Sequence, residues 1–226
     1  MAIYVYIKTL PKQPLRVQSI LFSSFFLVSG IFFLSLVALP IITFQLFYTP
    51  KYASVISPLS DTQVLGTQTD FTQVTNWFPN EVKRTSPSKI TSYTLSIPKL
   101  NIKSAVVNIG SSDLSKSLIQ WDSAILPGEF GNAVVFGHSV LPAFFDPKNY
   151  MTIFSTLPTL KLKDEFYVYF DGITYRYQVV DLKVIDPQDI SVLEQTYDGS
   201  YISLVTCVPP GTYWKRLVVK SRLVKI

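Results

Sequence analysis

Hydrophobic and polar positions follow three rhythms along the 226 residues of this chain. From Ile20 to Tyr48 it reads ILFSSFFLVSGIFFLSLVALPIITFQLFY, and no charged residue stands between Arg16 and Lys51. A helix needs about 20 apolar residues to cross the hydrocarbon core of a bilayer, so a spanning helix is predicted over 20–48. Pro40 falls near its outer end, where neighbouring groups re-satisfy the freed carbonyl. The run exceeds the apolar core of roughly 7–15 residues in a cleaved signal. Ala38-Leu39-Pro40 is moreover a poor cleavage site, so an uncleaved signal anchor is expected. The second rhythm is polar: over 49–88 the chain turns to Ser, Thr, Gln, Asn and Pro, as in SPLSDTQVLGTQTDFTQ, and reads as a linker or stalk.

After Ile90 the pattern becomes short β-branched and aromatic runs separated by turn residues, which marks a small all-β domain. Strands are predicted at 93–97, 105–109, 133–137, 165–170, 174–185, 190–193, 201–206 and 217–224. Eight strands are enough to close a barrel. Asp171-Gly172 between two of the runs predicts a tight hairpin with positive φ at the turn. Two stretches break the rhythm and are expected as short helices on the barrel: 113–120, with an Asp at its start, and 147–157, where Met151, Phe154 and Leu157 recur at helical spacing.

Charge changes the picture in one respect. The net charge is +5, but residues 1–51 carry four basic and no acidic side chains, which leaves 16 basic against 15 acidic in the remainder. The basic balance therefore encodes topology and gives no reason to expect a nucleic-acid partner. Lys8, Lys12 and Arg16 flank the apolar run on one side and Lys51 alone on the other until Lys83. The positive-inside rule places 1–19 in the cytoplasm, 20–48 in the cell membrane as a single pass, and the linker 49–88 and barrel 89–226 outside the cell.

The candidate chemistry rests on very few residues, because the chain holds one cysteine, Cys207, and one histidine, His138. A single extracellular cysteine forms no internal disulfide, and it is either a small buried core residue or a reactive thiol. Both residues sit where an apolar strand opens into a loop: GNAVVFGHS ends in His138-Ser139, and SYISLVTC ends in Cys207 before Val208-Pro209-Pro210-Gly211, which cannot continue a ladder. Arg216, nine residues past the cysteine, opens another apolar run. Two strands joined by that loop bring Cys207 and Arg216 to the same end of neighbouring strands. A cysteine enzyme needs a base or cation near its sulfur and a donor for the oxyanion, and these three residues supply both. No cysteine or histidine spacing suits zinc and no Gly-rich phosphate loop occurs, so neither metal nor cofactor is expected.

LVTCVPPGTYWKRLVV and GNAVVFGHS, in this order and spacing, resemble the sortase family of membrane-anchored cysteine transpeptidases. The resemblance covers 92–226: LSIPKL at 95–100 is similar to the family's opening strand, and 153–164 to the approach to its central hairpin. It implies a closed eight-stranded barrel with the site at one end. It also implies Cys207 as nucleophile, His138 as general acid/base and Arg216 as the arginine that clamps substrate and stabilises the oxyanion. Thr206, before the nucleophile, is implied to line the site and to help hold the oxyanion or the peptide. The implied substrates are secreted proteins bearing an LPXTG-like sorting signal, and the acceptor is an amine such as a peptidoglycan peptide or a pilin lysine.

Two departures stand out. Where the family usually has Gly-Asp before its central hairpin, this chain has Lys163-Asp164. The loop Val208-Pro209-Pro210-Gly211 most resembles that of the pilin-polymerising, class C-type members. Some of those carry a lid with an Asp and an aromatic that plug the site. Asp70-Phe71 or Asn76-Trp77-Phe78 offer the residues, although an aromatic docked on the barrel wall is the simpler expectation and no lid is counted in the site. Asp113, Asp164 and Glu165 are too isolated to predict the calcium site of some relatives. A peptidase that hydrolyses the same peptide, and a binding module that keeps only the barrel, remain as alternatives. The peptidoglycan-crosslinking cysteine transpeptidases are excluded, since they place an Arg two residues past the Cys, where this chain has Pro209.

Overall fold

A computed structural model describes residues 17–44, 46, 70, 72–77, 91–122 and 124–224. The expected cytoplasmic segment up to residue 16, most of the stalk, Phe71 and Phe78 lie outside the described residues. The chain divides into two units, Met1–Leu39 and Pro40–Ile226. Helix α1, Val17–Thr43, contains a stretch of 24 residues, Ile20–Thr43, that is long and apolar enough to cross a membrane. At 1.5 Å per residue it measures about 36 Å.

The second unit is a closed eight-stranded barrel, as the sequence leads one to expect. Its strands are β1 Ser92–Ile97, β2 Ile102–Ile109, β3 Leu118–Gln120, β4 Gly131–Phe136, β5 Glu165–Phe170, β6 Ile173–Ile185, β7 Ser200–Val208 and β8 Lys215–Val224. They close in the order β1-β2-β3-β4-β7-β8-β6-β5. The pairs β2–β3 and β4–β7 are parallel and the others antiparallel. Asp171 (φ 50°) and Gly172 (φ 78°) make the predicted β5–β6 turn, with Phe170 paired to Ile173.

Three expected elements differ. The stretch 113–120 is not a helix: its first half is a turn in which Asp113 accepts from the Ser115 amide, and Leu118–Gln120 is β3. So short a strand holds because Gln120 is buried with both ends of its amide engaged. Its Oε1 accepts from the Tyr93 hydroxyl at 2.9 Å, and its Nε2 donates to the carbonyls of Asp122 (2.7 Å) and Ile125 (2.9 Å). The stretch 147–157 is a run of turns entering the single 3-10 turn Leu157–Thr159, and Phe154 and Leu157 still face the core as helical spacing requires. Residues 190–193, expected as a strand, close instead as the 3-10 turn Ser191–Leu193, at whose start the Ser191 amide donates to the Asp189 carboxylate.

Side chains from all eight strands fill the barrel interior, among them Leu95, Val107, Leu118, Val135, Phe166, Tyr177, Leu204 and Val219. A second cluster lies on the other face of the wall. Val134 and Phe136 of β4, Val205 and Cys207 of β7 and Val218 of β8 pack there with Val74, Trp77, Leu114, Trp121 and Val192. Alternation along a strand produces the division, since successive side chains leave opposite faces.

Candidate active site

Cys207 and Arg216 are directly paired across β7 and β8. The carbonyls of Val205 and Cys207 turn toward the β4 side, where Gly137 N–H and the Ser139 hydroxyl reach them. Cys207 therefore exchanges no backbone bonds with Arg216, and the two form the closer kind of cross-strand pair, with Cα atoms about 4.5 Å apart. His138 lies on the neighbouring chain segment, two residues past Phe136, which is in register with Val205. The three expected catalytic side chains are thus brought together, and all are buried: His138 4% exposed, Cys207 1% and Arg216 1%. These residues lie at the ends of β4 and β7, with Cys207 on the outer face of the wall.

Thr206 is near the site but is directed elsewhere. It alternates with Val205 and Cys207, so its side chain leaves the opposite face of β7, and its hydroxyl donates to the Gly137 carbonyl at 2.8 Å. Arg216 Nη1 donates to the Tyr213 carbonyl at 3.1 Å and the Lys215 carbonyl at 3.3 Å, which ties the guanidinium to the loop after the cysteine. The buried His138 Nε2 has no hydrogen-bond partner among the described residues. A buried nitrogen left in that state is costly in a merely structural histidine and suits one that exchanges protons with substrate.

What covers these residues is Trp77. Its ring lies 4.9 Å from the Arg216 guanidinium carbon, 6.0 Å from the His138 ring and 5.6 Å, edge to face, from Phe136. Backbone bonds hold its segment to the barrel: Val74 N–H donates to the Ser112 carbonyl (3.0 Å) and Leu114 N–H to the Thr72 carbonyl (2.9 Å), around a bridge between Gln73 and Asp113. Asp70 accepts from the Thr72 amide at 2.9 Å and from its hydroxyl at 2.6 Å, which stiffens the strap. The sequence supplied Trp77 as a candidate lid aromatic and as a wall-docking aromatic. The structure docks it on the barrel wall, beside His138 and Arg216.

Burial governs the electrostatics. It pushes the Cys207 thiol up to about 11, against the pull of Arg216, and presses His138 down to about 4, against Asp70 and Asp113, which favour its charged form. Burial lowers Arg216 as well, opposed by Cys207. With the strap in place, thiol and imidazole are both neutral across the intervening range. Among the described residues no cluster of three or more His, Cys, Asp or Glu gathers into a metal site.

The sortase domain model matches residues 95–224, more than half of the chain, with His138, Cys207 and Arg216 inside the match. The chain belongs to the sortase family. Sortases are cysteine transpeptidases. Sortase D of Bacillus subtilis (strain 168) is 25% identical over 134 residues, covering 58% of this chain and 62% of that protein, so the match spans less than two thirds of the relative. The crystal structure of sortase C-1 from Actinomyces oris superposes with a TM-score of 0.53 at 26% identity, covering 62% of this chain and 77% of that one. A lid mutant of sortase A from Corynebacterium diphtheriae gives 0.52 at 26% identity, over 62% and 73%. Relatives from classes A, C and D lie at similar distance, so this sortase takes no class from them.

Sequence reasoning left two residues at this site uncounted. Trp77 carried a signal, an aromatic in an otherwise polar linker, but its docking depends on contacts with Ser112–Leu114 some 40 residues away. Ser139 carried none beyond its place after the histidine. Its hydroxyl donates to the Cys207 carbonyl at 2.6 Å.

Proposed function

We propose that this sortase is a cysteine transpeptidase that cleaves an LPXTG-like sorting signal and transfers the acyl part to an amine. The observation that supports this best is the Cys207–Arg216 cross-strand pair with the unpartnered His138 Nε2 beside it on one buried face. In this reading His138 takes the proton of the Cys207 thiol, the thiolate attacks the threonine carbonyl, and Arg216 stabilises the oxyanion that develops. The C–N bond breaks as protonated His138 donates to the departing amine, leaving a thioester on Cys207. An incoming amine then gives its proton to His138 and displaces the Cys207 thiolate, to which His138 returns that proton, restoring the neutral pair. Thr206 contributes by holding the Gly137 carbonyl, one residue before the acid/base.

The burial of all three groups beneath Trp77 requires the strap to leave before a peptide enters. α1 anchors the enzyme in the cell membrane with its N-terminus in the cytoplasm. The barrel outside then meets secreted proteins that bear the signal, and joins them to a peptidoglycan peptide or a pilin lysine. The full chain in detergent micelles, incubated with a panel of LPXTG-like peptides and triglycine, tests the reading by mass spectrometry. Acceptor-joined product that vanishes with Cys207→Ala supports it. Hydrolysis alone with acceptor in excess indicates a peptidase, and no thioester with any peptide indicates a binding module.

A further inference from the structure

Backbone pairing between β4 and β7 runs in register from Gly131 with Ser200 to Phe136 with Val205, and the Gly137 N–H to Val205 carbonyl bond at 3.1 Å closes it. Beyond that point the two segments part. The His138 carbonyl is taken by the Phe154 amide (2.9 Å) and the Val140 amide by the Ser155 hydroxyl (2.9 Å), which draw the histidine segment toward the turns at 151–156. The divergence falls where histidine and cysteine have to meet, so no ladder bond sets their separation.

Two buried hydroxyls span the gap. Thr206 Oγ1 donates to the Gly137 carbonyl at 2.8 Å, and Ser139 Oγ donates to the Cys207 carbonyl at 2.6 Å. Gly137 and Ser139 bracket the histidine as Thr206 and the Cys207 carbonyl bracket the nucleophile. The bonds run in opposite directions, so the segments are tied on both sides of His138. Ser139 is 7% exposed and Thr206 fully buried, so water does not compete for either acceptor.

We propose that Ser139 is a positioning residue, whose hydroxyl, together with that of Thr206, clasps the His138 segment to the backbone of Cys207 and sets the approach of acid/base to nucleophile. The proposal rests on the roles given above to Cys207 and His138. The groups that act electrostatically on the imidazole are Asp70 of the strap and Asp113 of the turn before β3, while Arg216 acts on the thiol. Ser139→Ala alters none of them, so a changed titration of His138 reports its placement.

A single histidine and a single cysteine make the test site-specific without further mutation. Full chain in detergent micelles, labelled at histidine, is titrated by NMR as wild type, Ser139→Ala and Ser139→Thr, and each is assayed for peptide transfer to triglycine. Ser139→Ala is expected to lower kcat roughly tenfold to a hundredfold with KM within about twofold, since misplacement of about 1 Å has effects of that order. Its His138 titration moves up toward the ordinary value as water enters the loosened segment. Ser139→Thr, which keeps the hydroxyl, restores both. Wild-type kcat and titration in Ser139→Ala overturn the proposal, as does a loss that follows thermal stability alone and that Thr fails to rescue. If wild type transfers no peptide, the functional reading fails by itself. The titration then still decides the clasp: an unmoved His138 overturns it, and a shift reversed by Thr sustains it.

Discussion

Strands β5 and β7 are both rich in apolar residues, yet they end in opposite circumstances. In β5 the inward Phe166, Val168 and Phe170 alternate with Tyr167 and Tyr169, which are 37% and 55% exposed, as a sheet with one wet face requires. In β7 all nine residues are buried, because the outer face that β5 shows to solvent is covered there by the strap, the turn before β3 and Val192. The second layer lies where the candidate chemistry lies. It removes water from Cys207 and Arg216, which strengthens their attraction and raises the cost of charging either one.

The sharpest break between the two faces comes from removing one side chain on each. Cys207→Ala is expected to abolish transfer, by at least about a thousandfold, since the chain holds no other thiol. Tyr169→Ala, on the solvated face of β5, stays within about twofold in the same assay.

Stability against pH distinguishes the buried face next. His138 is held well below its unfolded value, so its contribution is complete above about pH 6.5 and is lost as pH falls through about 4, on the order of 3 kcal/mol. Cys207 is held above its unfolded value, so its contribution is present below pH 9 and lost as pH rises through about 11. Denaturant titrations should give a plateau between these limits, and His138→Gln should flatten the acid limb.

Arg216→Lys keeps a charge but loses the planar guanidinium held by the Tyr213 and Lys215 carbonyls. About a hundredfold loss of kcat/KM in the peptide assay is expected. Trp77→Ala should then speed alkylation of Cys207 by iodoacetamide roughly tenfold, by letting water reach a thiol otherwise kept neutral. Trp214→Ala, exposed in the loop after the cysteine, should leave that rate unchanged.

The smallest effect lies away from the site, before β5. Lys163 adopts φ 72°, a left-handed conformation that costs a side chain about 1 kcal/mol. Lys163→Gly should raise the free energy of unfolding by up to that amount, and a decrease would mean that the Lys163 side chain outweighs its backbone strain.

Local rules carried much of this fold. The β5–β6 hairpin was legible because Asp-Gly accepts positive φ wherever it occurs, and the framework of β4, β7 and β8 because their apolar runs stop at Gly, Pro or a charged residue. β3 was not legible, because Leu118–Gln120 becomes a strand only through its parallel partner β2 and the buried amide of Gln120. Residues 190–193 misled for the opposite reason: their β-branched composition suits a strand, but no neighbour offers an edge and Asp189 closes the turn locally.

The sequence by itself determined the candidate chemistry, since one cysteine, one histidine and an arginine nine residues on leave no other assignment for a thiol site. Period-two alternation determined an all-β domain with one apolar face, and the resemblance to sortases implied that the sheet closes into a barrel. Only the tertiary structure decided which face of that sheet the site occupies, that Trp77 covers it and that Ser139 ties its two segments together. Those outcomes come from contacts between segments tens of residues apart, and no local propensity encodes a partner that the chain meets only after folding.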